Sequence, residues 1–197
     1  MTTKSTALEK TLIVICGLPG SGKTTLTKKL SAGLKDYVVI DQNEVRRKHG
    51  MKRMPKRQGN INNEINCMIA KYLNNDRGVI FDSINKMMHR RHQLYGIASS
   101  CKKRVVVIET VCSECVAKDR MRARPNSDGL LSDPNDTKVY DRSKDFWEDV
   151  QLDYVNADIS FVAYLQFNSE KNEVKEIIAQ RGMGQITKSI RTILSTP

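Results

Sequence analysis

Residues 17–24 of this 197-residue chain read GLPGSGKT, and this stretch decides the fold. It fits the pattern G-x-x-x-x-G-K-[ST] of a phosphate-binding P-loop. The apolar run before it, residues 11–16 (TLIVIC), predicts a buried strand, and residues 25–30 (TLTKKL) predict the first turns of a helix. Strand, glycine-rich turn and helix follow one another in the order that a P-loop requires. The sequence therefore predicts a site for a nucleoside triphosphate.

Two side chains of the loop carry the chemistry predicted for it. Glycines let successive backbone N–H groups point inward at phosphate oxygens, and the helix N-terminus adds a favourable field. We expect Lys23 to contact the β- and γ-phosphates of ATP and to act in catalysis, and the Thr24 hydroxyl to bind Mg²⁺. The residues expected to bind ATP are Gly17, Leu18, Pro19, Gly20, Ser21, Gly22, Lys23, Thr24 and Thr25.

Apolar runs and helical patterns alternate along the rest of the chain. The apolar runs predict further strands at 37–40, 78–82, 104–109 and 160–167. The other periodic stretches predict helices at 43–49, 60–73, 88–100, 113–124, 136–152, 171–180 and 185–194. This alternation implies right-handed crossovers. We expect an α/β fold of the P-loop NTPase type, with a five-stranded parallel sheet and helices on both faces.

The chain is expected to contain one domain with two short extensions. Residues 11–168 form the P-loop domain with a small lid at about 120–136, residues 1–10 are flexible, and residues 169–197 form a C-terminal helical segment. No stretch is long and apolar enough to span a bilayer, and the N-terminus lacks the apolar region of a signal peptide. We therefore expect an intracellular protein, cytoplasmic or nuclear, whose five cysteines are reduced thiols.

The chain is strongly basic, with 33 Lys and Arg residues against 22 Asp and Glu and a net charge of +11. Such an excess indicates a polyanionic partner, usually nucleic acid, although surplus lysine can also serve solubility. Basic residues cluster after the second predicted strand, where P-loop kinases receive their acceptor and where Glu44 is the one acid between positions 43 and 57. The cluster contains Arg46, Arg47, Lys48, Lys52, Arg53, Lys56 and Arg57.

Carboxylates stand at the ends of three predicted strands. Parallel sheets bind ligands at the carboxyl ends of their strands, so Asp41, Asp82 and Glu109 can converge on the P-loop. We expect Asp82 to hold Mg²⁺, the alternative being a cap or turn residue. Asp41 is either a helix N-cap or a catalytic group that takes or orients the proton of an acceptor hydroxyl. The residues expected to bind the acceptor are Glu44, Arg46, Arg47 and Asn85.

Arg120 and Arg124 are spaced i,i+4 and share one face of a predicted helix. Because phosphoryl transfer places negative charge on the migrating group, we expect them to act in catalysis as lid arginines. The alternative is a solvated basic face. The stretch HRRH at residues 89–92 predicts a helix-start surface, and the C-x-x-C of Cys112 and Cys115, which has no second pair, indicates structural cysteines.

The chain resembles the polynucleotide kinase-like group of P-loop kinases, which includes the bacteriophage polynucleotide 5′-kinase and zeta-toxin-like kinases. The resemblance covers about residues 10–165 and rests on the P-loop, residues 41–46, FDSIN at 81–85 with the arginine pair after it, and the arginine helix. It implies transfer of the ATP γ-phosphate to a 5′-OH of RNA or DNA. It implies that Lys23 and Thr24 bind phosphate and Mg²⁺ and that Asp82 is the group's strand-end carboxylate. It also implies that Arg120 and Arg124 are the lid arginines that bind transition-state charge, and that Arg46 binds the acceptor phosphate.

Asn43 departs from that group, which carries its general base at this position, so Asp41 or Glu44 would have to replace it. The chain also resembles the kinase domain of 6-phosphofructo-2-kinase, through residues 11–30, 44–47, 81–92 and 108–112. Three functions stay open. The chain is a polynucleotide 5′-hydroxyl kinase, a kinase of a small molecule such as a sugar phosphate or nucleotide sugar, or a nucleotide-binding switch or adaptor with weak ATPase activity.

Overall fold

Strands at the centre of the molecule form one sheet. The computed structural model describes residues 10–49, 58–124, 136–154, 162–178 and 184–195. Within these ranges the strands are β1 (Leu12–Gly17), β2 (Tyr37–Asp41), β3 (Gly78–Asp82), β4 (Val105–Val111), β5 (Val162–Asn168) and β6 (Glu173–Ile178). Their order in the sheet is β2-β3-β1-β4-β5-β6. The first five strands along the chain pair in parallel, and β6 pairs antiparallel with β5.

Helices connect the parallel strands and cover both faces of the sheet. They are α1 (Lys23–Gly33), α2 (Gln42–Lys48), α3 (Gln58–Asn74), α4 (Met88–Ser100), α5 (Glu114–Arg122), α6 (Lys138–Asp145) and α7 (Gly184–Ser195), with a 3₁₀ turn at Val150–Tyr154. Because β1 is covered on both sides, every one of its residues is buried and apolar or glycine, as expected for a central parallel strand.

Two apolar cores lie on opposite faces of the sheet. Successive strand residues point to opposite sides, so Val14 joins the core under α3 and α4 while Ile15 joins the core under α1 and α7. The structure thus confirms the α/β fold of the P-loop NTPase type. In the described part of the chain the sheet has six strands, one more than expected.

The helix predicted at 171–180 is wrong, because these residues contain the edge strand β6. The side chain of Asn168 accepts hydrogen bonds from the backbone N–H groups of Glu170 and Lys171, both at 3.0 Å, and Asn172 turns the chain with a φ of 54°. The turn directs the sequence EVKEII back along β5. Its Glu and Lys residues favour a helix, and here they line an exposed edge, where charge opposes pairing with other chains. The helix predicted at 136–152 is shorter and ends at Asp145.

Some expectations concern residues outside the described ranges. These are the N-terminal residues 1–9, the basic residues Lys52, Arg53, Lys56 and Arg57, and the part of the predicted lid at 125–135. In the part of the chain that is described, no helix combines the length and apolar character needed to cross a membrane. All five cysteines are described and none forms a disulfide.

A buried ion pair holds the start of α4 to the 3₁₀ turn. Arg91 is fully buried and binds Asp153 through two hydrogen bonds, at 2.6 Å from Nε and 2.7 Å from Nη2. Its Nη1 also donates to the backbone carbonyls of Asn85 (3.0 Å) and Lys86 (3.1 Å), in the loop after β3. Tyr95 donates its hydroxyl to Asp153 at 2.8 Å. This pair therefore fixes the loop that follows the strand end of Asp82.

We predict that Asp153→Asn lowers the free energy of unfolding by about 3–5 kcal/mol, since it leaves the guanidinium of Arg91 buried without its counter-charge. Urea unfolding of the full chain measures the change. The control is Asp119→Asn, which removes the exposed partner of Arg122 and should cost less than about 1 kcal/mol. Equal effects of the two variants would contradict this role for the buried pair.

Candidate functional site

The P-loop leaves β1 and curls against α5 before it enters α1. Gly20 and Gly22 adopt φ values of 78° and 97°, a conformation that side chains rarely take. A Cβ on Gly20 would lie 2.2 Å from the backbone oxygen of Ala117 in α5, so only glycine fits there. The hydroxyls of Ser21 and Thr110 hydrogen bond at 2.5 Å and join the loop to β4. The loop is therefore held from two sides in the curled form that a phosphate cradle needs.

Lys23 lies at the head of α1 and folds back over the loop. Its Nζ donates to the backbone carbonyls of Gly17 (2.9 Å) and Leu18 (2.8 Å). Burial lowers the pKa of Lys23 to about 8, against the opposing effect of the Asp82 carboxylate. A phosphate would offer this ammonium stronger acceptors than the two carbonyls and would favour its charged form.

Asp82 ends β3 directly beside the P-loop helix. Its Oδ2 accepts a hydrogen bond from Thr27 at 3.0 Å, and Thr24 is also within hydrogen-bonding range of the carboxyl. Burial raises the pKa of Asp82, while the charge of Lys23 and the two threonines oppose this rise. The hydroxyl of Thr24 and the carboxylate of Asp82 are hard oxygen donors, as Mg²⁺ prefers.

These two donors fit the Mg²⁺ predicted from the sequence. Within the described ranges no group of three or more His, Cys, Asp or Glu side chains could hold a metal ion. Mg²⁺ at nucleotide sites commonly takes only one or two protein ligands and completes its shell with phosphates and waters. Thr24 and Asp82 are the residues that would hold it here.

A cleft of about 490 Å³ runs from the P-loop to the helices across the sheet edge. Lys23 and Asp82 are among the residues that line it. Polar and cationic residues of three helices line it as well, namely Gln42, Asn43 and Arg46 from α2, Asn62 from α3 and Arg90 from α4. One continuous space therefore joins the P-loop to polar and cationic residues of α2, α3 and α4.

The residues predicted at the second strand end take different places. Asp41 caps α2, because its Oδ1 accepts from the backbone N–H of Asn43 at 2.7 Å. Asn43 and Arg46 line the cleft, and burial lowers the pKa of Arg46 while Asp41 opposes this. Glu44 pairs with Lys48 at 3.1 Å on the surface, and the side chain of Arg47 is exposed. Asp41, Glu44 and Arg47 are not among the residues that line the cleft.

Asn85 lines the cleft and also shapes the loop that precedes α4. It has a φ of 46°, is 5% exposed, and donates through Nδ2 to the backbone oxygen of Ile15 at 2.7 Å. The backbone N–H of Gly17 donates to the oxygen of Ile84 at 3.2 Å. Asn85 therefore joins the loop after β3 to the end of β1, in addition to the acceptor role predicted for it.

The two arginines predicted to act together have different surroundings. Arg124 is exposed and lines the cleft just beyond the end of α5. Arg120 donates from Nη1 to the hydroxyl of Ser169 (2.7 Å) and from Nη2 to its backbone oxygen (3.2 Å). Arg120 therefore holds the turn between β5 and β6 beside the P-loop, and Arg124 is the member of the pair that faces the cleft.

The prediction that residues 89–92 form a surface at the helix start is wrong for the two central residues, because Arg90 and Arg91 are buried. Arg90 also lines the cleft, a position that the sequence analysis missed. A signal for its burial was present, since Arg90, Leu94 and Ala98 are spaced i,i+4,i+8 and form one buried helix face. Nothing in the sequence alone marked its guanidinium as part of a binding site.

Comparisons with known proteins agree with this fold. Residues 12–146 match a protein-family model described as an AAA domain. The structure of Kti12 from Chaetomium thermophilum in complex with ADP-AlF3 has a TM-score of 0.64 and 18% identity, covering 93% of this chain and 95% of that one. A gluconokinase from Sinorhizobium meliloti 1021 has a TM-score of 0.55 and 15% identity, covering 96% and 94%.

A chain of the Pnkp1/Rnl/Hen1 RNA repair complex is also similar, with a TM-score of 0.62 and 16% identity. It matches 80% of this chain and 50% of that chain. No curated protein sequence matches significantly. At these identities the likenesses establish the fold, a P-loop kinase-like domain, and this domain implies nucleotide binding.

We predict that ATP affinity falls as the pH rises through about 8, by up to about tenfold per pH unit. The reason is that ATP binds the protonated form of Lys23, and the lowered pKa makes the free chain lose that proton in this pH range. Calorimetric titration with ATP and Mg²⁺ between pH 7 and 9.5 measures the effect. The control is Lys23→Arg, which stays charged throughout and should bind with weaker but pH-independent affinity. A flat profile for the unmodified chain would contradict the prediction.

Proposed function

The chain belongs to the AAA domain family, and on this basis we propose that it is an ATP-dependent kinase that transfers the γ-phosphate to the 5′-OH of RNA or DNA. The observation that carries the proposal is the continuous cleft. It joins Lys23 and Asp82 at the donor end to Arg46 and Arg90 at the acceptor end. A nucleotide-binding site alone needs only the first of these ends.

At the donor end, the residues act by position and charge. Phosphoryl transfer passes through a loose transition state, so catalysis depends mainly on alignment and on stabilising the charge of the moving group. Lys23 leaves its two loop carbonyls and binds phosphate oxygens, and the curled backbone of the P-loop orients the triphosphate. Thr24 and Asp82 would hold Mg²⁺, which would supply charge neutralisation to the triphosphate.

At the acceptor end, we assign the orienting role of the usual general base to an amide. Asp82 and Asn43 both line the cleft, and Asn43 lies in α2, which also carries Arg46. The side-chain oxygen of Asn43 can accept a hydrogen bond from the acceptor hydroxyl and orient its oxygen toward the γ-phosphate. Because bond breaking runs ahead of bond making in a loose transition state, orientation matters more than early removal of the proton.

The charge of the chain supports a nucleic acid as the acceptor. A net charge of +11 attracts polyanions from solution, and two arginines at the acceptor end can bind backbone phosphate. Pnkp1, which shares the fold, is found in an RNA repair complex. The fold does not choose between acceptors, since a gluconokinase shares it as well.

The second candidate is a nucleotide-dependent switch that turns over slowly. It is favoured by one specific observation, the side chain of Asp41, which caps α2 and leaves Asn43 at the position facing the cleft. A cleft with an amide at this position, where a carboxylate would act as the base, suits binding as well as transfer. The two candidates differ in whether an acceptor becomes phosphorylated.

The test offers γ-labelled ATP and Mg²⁺ to the full chain with two sets of acceptors. One set contains 5′-OH oligonucleotides of RNA and DNA, and the other contains sugar phosphates and nucleotide sugars. We expect label on the oligonucleotides. Label only on a small molecule would make the chain a metabolite kinase, and label on neither set, with ATP still bound, would favour the switch.

We predict that Lys23→Ala and Asp82→Asn each lower label transfer at least about 100-fold, since each removes charge or alignment from the reacting phosphate. Circular dichroism should show an unchanged fold. Asp119→Asn, on the surface of α5, is the control and should transfer label at the unmodified rate. Near-normal turnover by either site variant would show that its assigned role is wrong.

We predict that Arg124→Ala lowers kcat by about 10³-fold and weakens ATP binding far less, if its guanidinium stabilises the charge of the transition state. Steady-state kinetics with varied ATP separates the two effects. Arg122→Ala is the matched control, because Arg122 lies on the same helix and pairs with Asp119 at 2.7 Å on the surface. A loss confined to ATP affinity would make Arg124 a ground-state binding residue.

A further inference from the structure

One large aromatic side chain is exposed beside the cleft. Phe146, the residue that follows α6, is 61% exposed, although Phe is among the residue types that are most often buried. A single exposed apolar residue is common in proteins and by itself needs no explanation. The surroundings of Phe146 set it apart, because they place the ring next to the cleft and hold the backbone around it.

Phe146 is next to residues that line the cleft. Ser143, one helical turn before it on α6, lines this space, and so does Lys86 in the loop after β3. The Nζ of Lys86 lies 4.9 Å from the centre of the Phe146 ring, in a cation–π contact. The exposed ring is therefore an immediate neighbour of the cleft, on the side formed by α6 and the loop after β3.

The backbone that follows the ring is fixed. The side chain of Trp147 packs against the core under α3 and α4, so it points inward where that of Phe146 points outward. The backbone N–H of Glu148 donates to the oxygen of Lys86 at 3.0 Å, and its carboxylate accepts from the backbone N–H of Met88. The segment that carries the ring is thereby tied to the loop that carries its cation.

A second exposed apolar residue provides a comparison. Leu152 is 48% exposed in the 3₁₀ turn at Val150–Tyr154, and it is not among the residues that line the cleft. Its branched side chain offers no flat face. Exposure alone therefore does not distinguish Phe146, and the argument depends on the combination of a flat ring, a cation and the cleft.

A flat exposed ring beside a cation fits a nucleobase. Proteins bind single-stranded nucleic acid with aromatic side chains in positively charged surroundings, because every base has a face that stacks and its backbone is anionic. Lys86 supplies a positive charge at the ring, and the whole chain has a net charge of +11. This charge attracts a polyanion and repels a second copy of the same chain.

We propose that Phe146 is a stacking platform for a base of a single-stranded nucleic acid whose 5′-OH end lies in the cleft. This inference rests on the proposed function, because that function places the 5′ end of the strand there. The strand leaves the cleft between the loop after β3 and the end of α6. The stacked base belongs to a nucleotide beyond the first, since the terminal hydroxyl must reach the γ-phosphate.

The platform adds affinity for a strand without selecting its sequence. Any base can stack on the ring, whereas a nucleoside or a sugar phosphate held in the cleft would not extend to it. Because the backbone around the ring is already fixed, little conformational freedom is lost when the base stacks. Phe146 thereby makes acceptor affinity depend on the length of the strand.

The experiment measures binding of a fluorescently labelled, single-stranded 5′-OH DNA decamer to the full chain by anisotropy, with ADP and Mg²⁺ present. Phe146→Ala should weaken binding about 5- to 150-fold, the loss expected for one stacked base. Phe146→Trp, which keeps a flat ring, should bind as tightly as the unmodified chain. Phe146→Leu, which is apolar but not flat, should bind as weakly as Phe146→Ala.

The matched control is Leu152→Ala, which removes an exposed apolar side chain away from the cleft and should leave decamer binding unchanged. Phe146→Ala should melt at the temperature of the unmodified chain, because substitutions of exposed side chains change stability little. A loss of binding in this variant then reports on the surface and not on the fold.

An abasic scan identifies the base that stacks. The base is removed from one nucleotide at a time, from the first to the sixth, in otherwise identical decamers. At one position beyond the first, we expect the unmodified chain to lose the same factor in affinity as Phe146→Ala loses with the intact decamer. Phe146→Ala should lose nothing more at that position, since the two changes remove one interaction. Additive losses at every position would overturn the platform.

The outcomes separate the platform from the proposed function. Decamer binding by Phe146→Ala within twofold of the unmodified chain would overturn the platform, even if oligonucleotides accept label. Decamer binding that depends on Phe146, without label transfer to any acceptor, would support the platform and overturn the kinase. Sedimentation of the chain as a dimer that Phe146→Ala dissociates would overturn the platform, because a second copy would then cover the ring.

Discussion

The parallel register of β3 beside β1 is the constraint on which the site depends. Asp82 stands opposite Ile15 in β1 and opposite Asp41 in β2, so its carboxyl emerges at the sheet edge where the P-loop begins. Side chains alternate along a strand, and a slip of one residue would place Phe81 there and move the carboxylate toward an apolar core. The buried apolar residues of β1 and β3 exclude that slip. Packing of the core thereby sets the position of a charged group outside it.

The correct predictions of fold and site came mostly from local sequence patterns. The wrong ones concerned residues whose structure depends on tertiary contacts. The P-loop and Asp82 could be placed because a strand, a turn and a helix each leave a short-range signature. The edge strand β6 could not be placed from the sequence, since its Glu and Lys residues favour a helix. Its pairing with β5 is a contact between two separate segments, which leaves no local pattern. The burial of Arg90 and Arg91 was missed for a similar reason. Their partners Asn66 and Asp153 lie far away in sequence.

Burial acts on two cations of the cleft. Within the described residues, Lys23 donates to backbone carbonyls, while Arg90 donates to side-chain amides and lies against the ring of Phe81. Burial lowers the pKa of both groups, because it disfavours their charged forms. Negative charge in the cleft would therefore favour the charged form of either group.

The close approach of Gly20 to Ala117 ties the P-loop to α5. A side chain at position 20 would meet backbone atoms of Ala117, which cannot rotate away as a flexible side chain can. Any residue larger than glycine there would have to displace the loop or the helix, and Arg124 follows two residues after the end of that helix. The size of one residue thus governs both the curl of the P-loop and the place of a cation at the cleft.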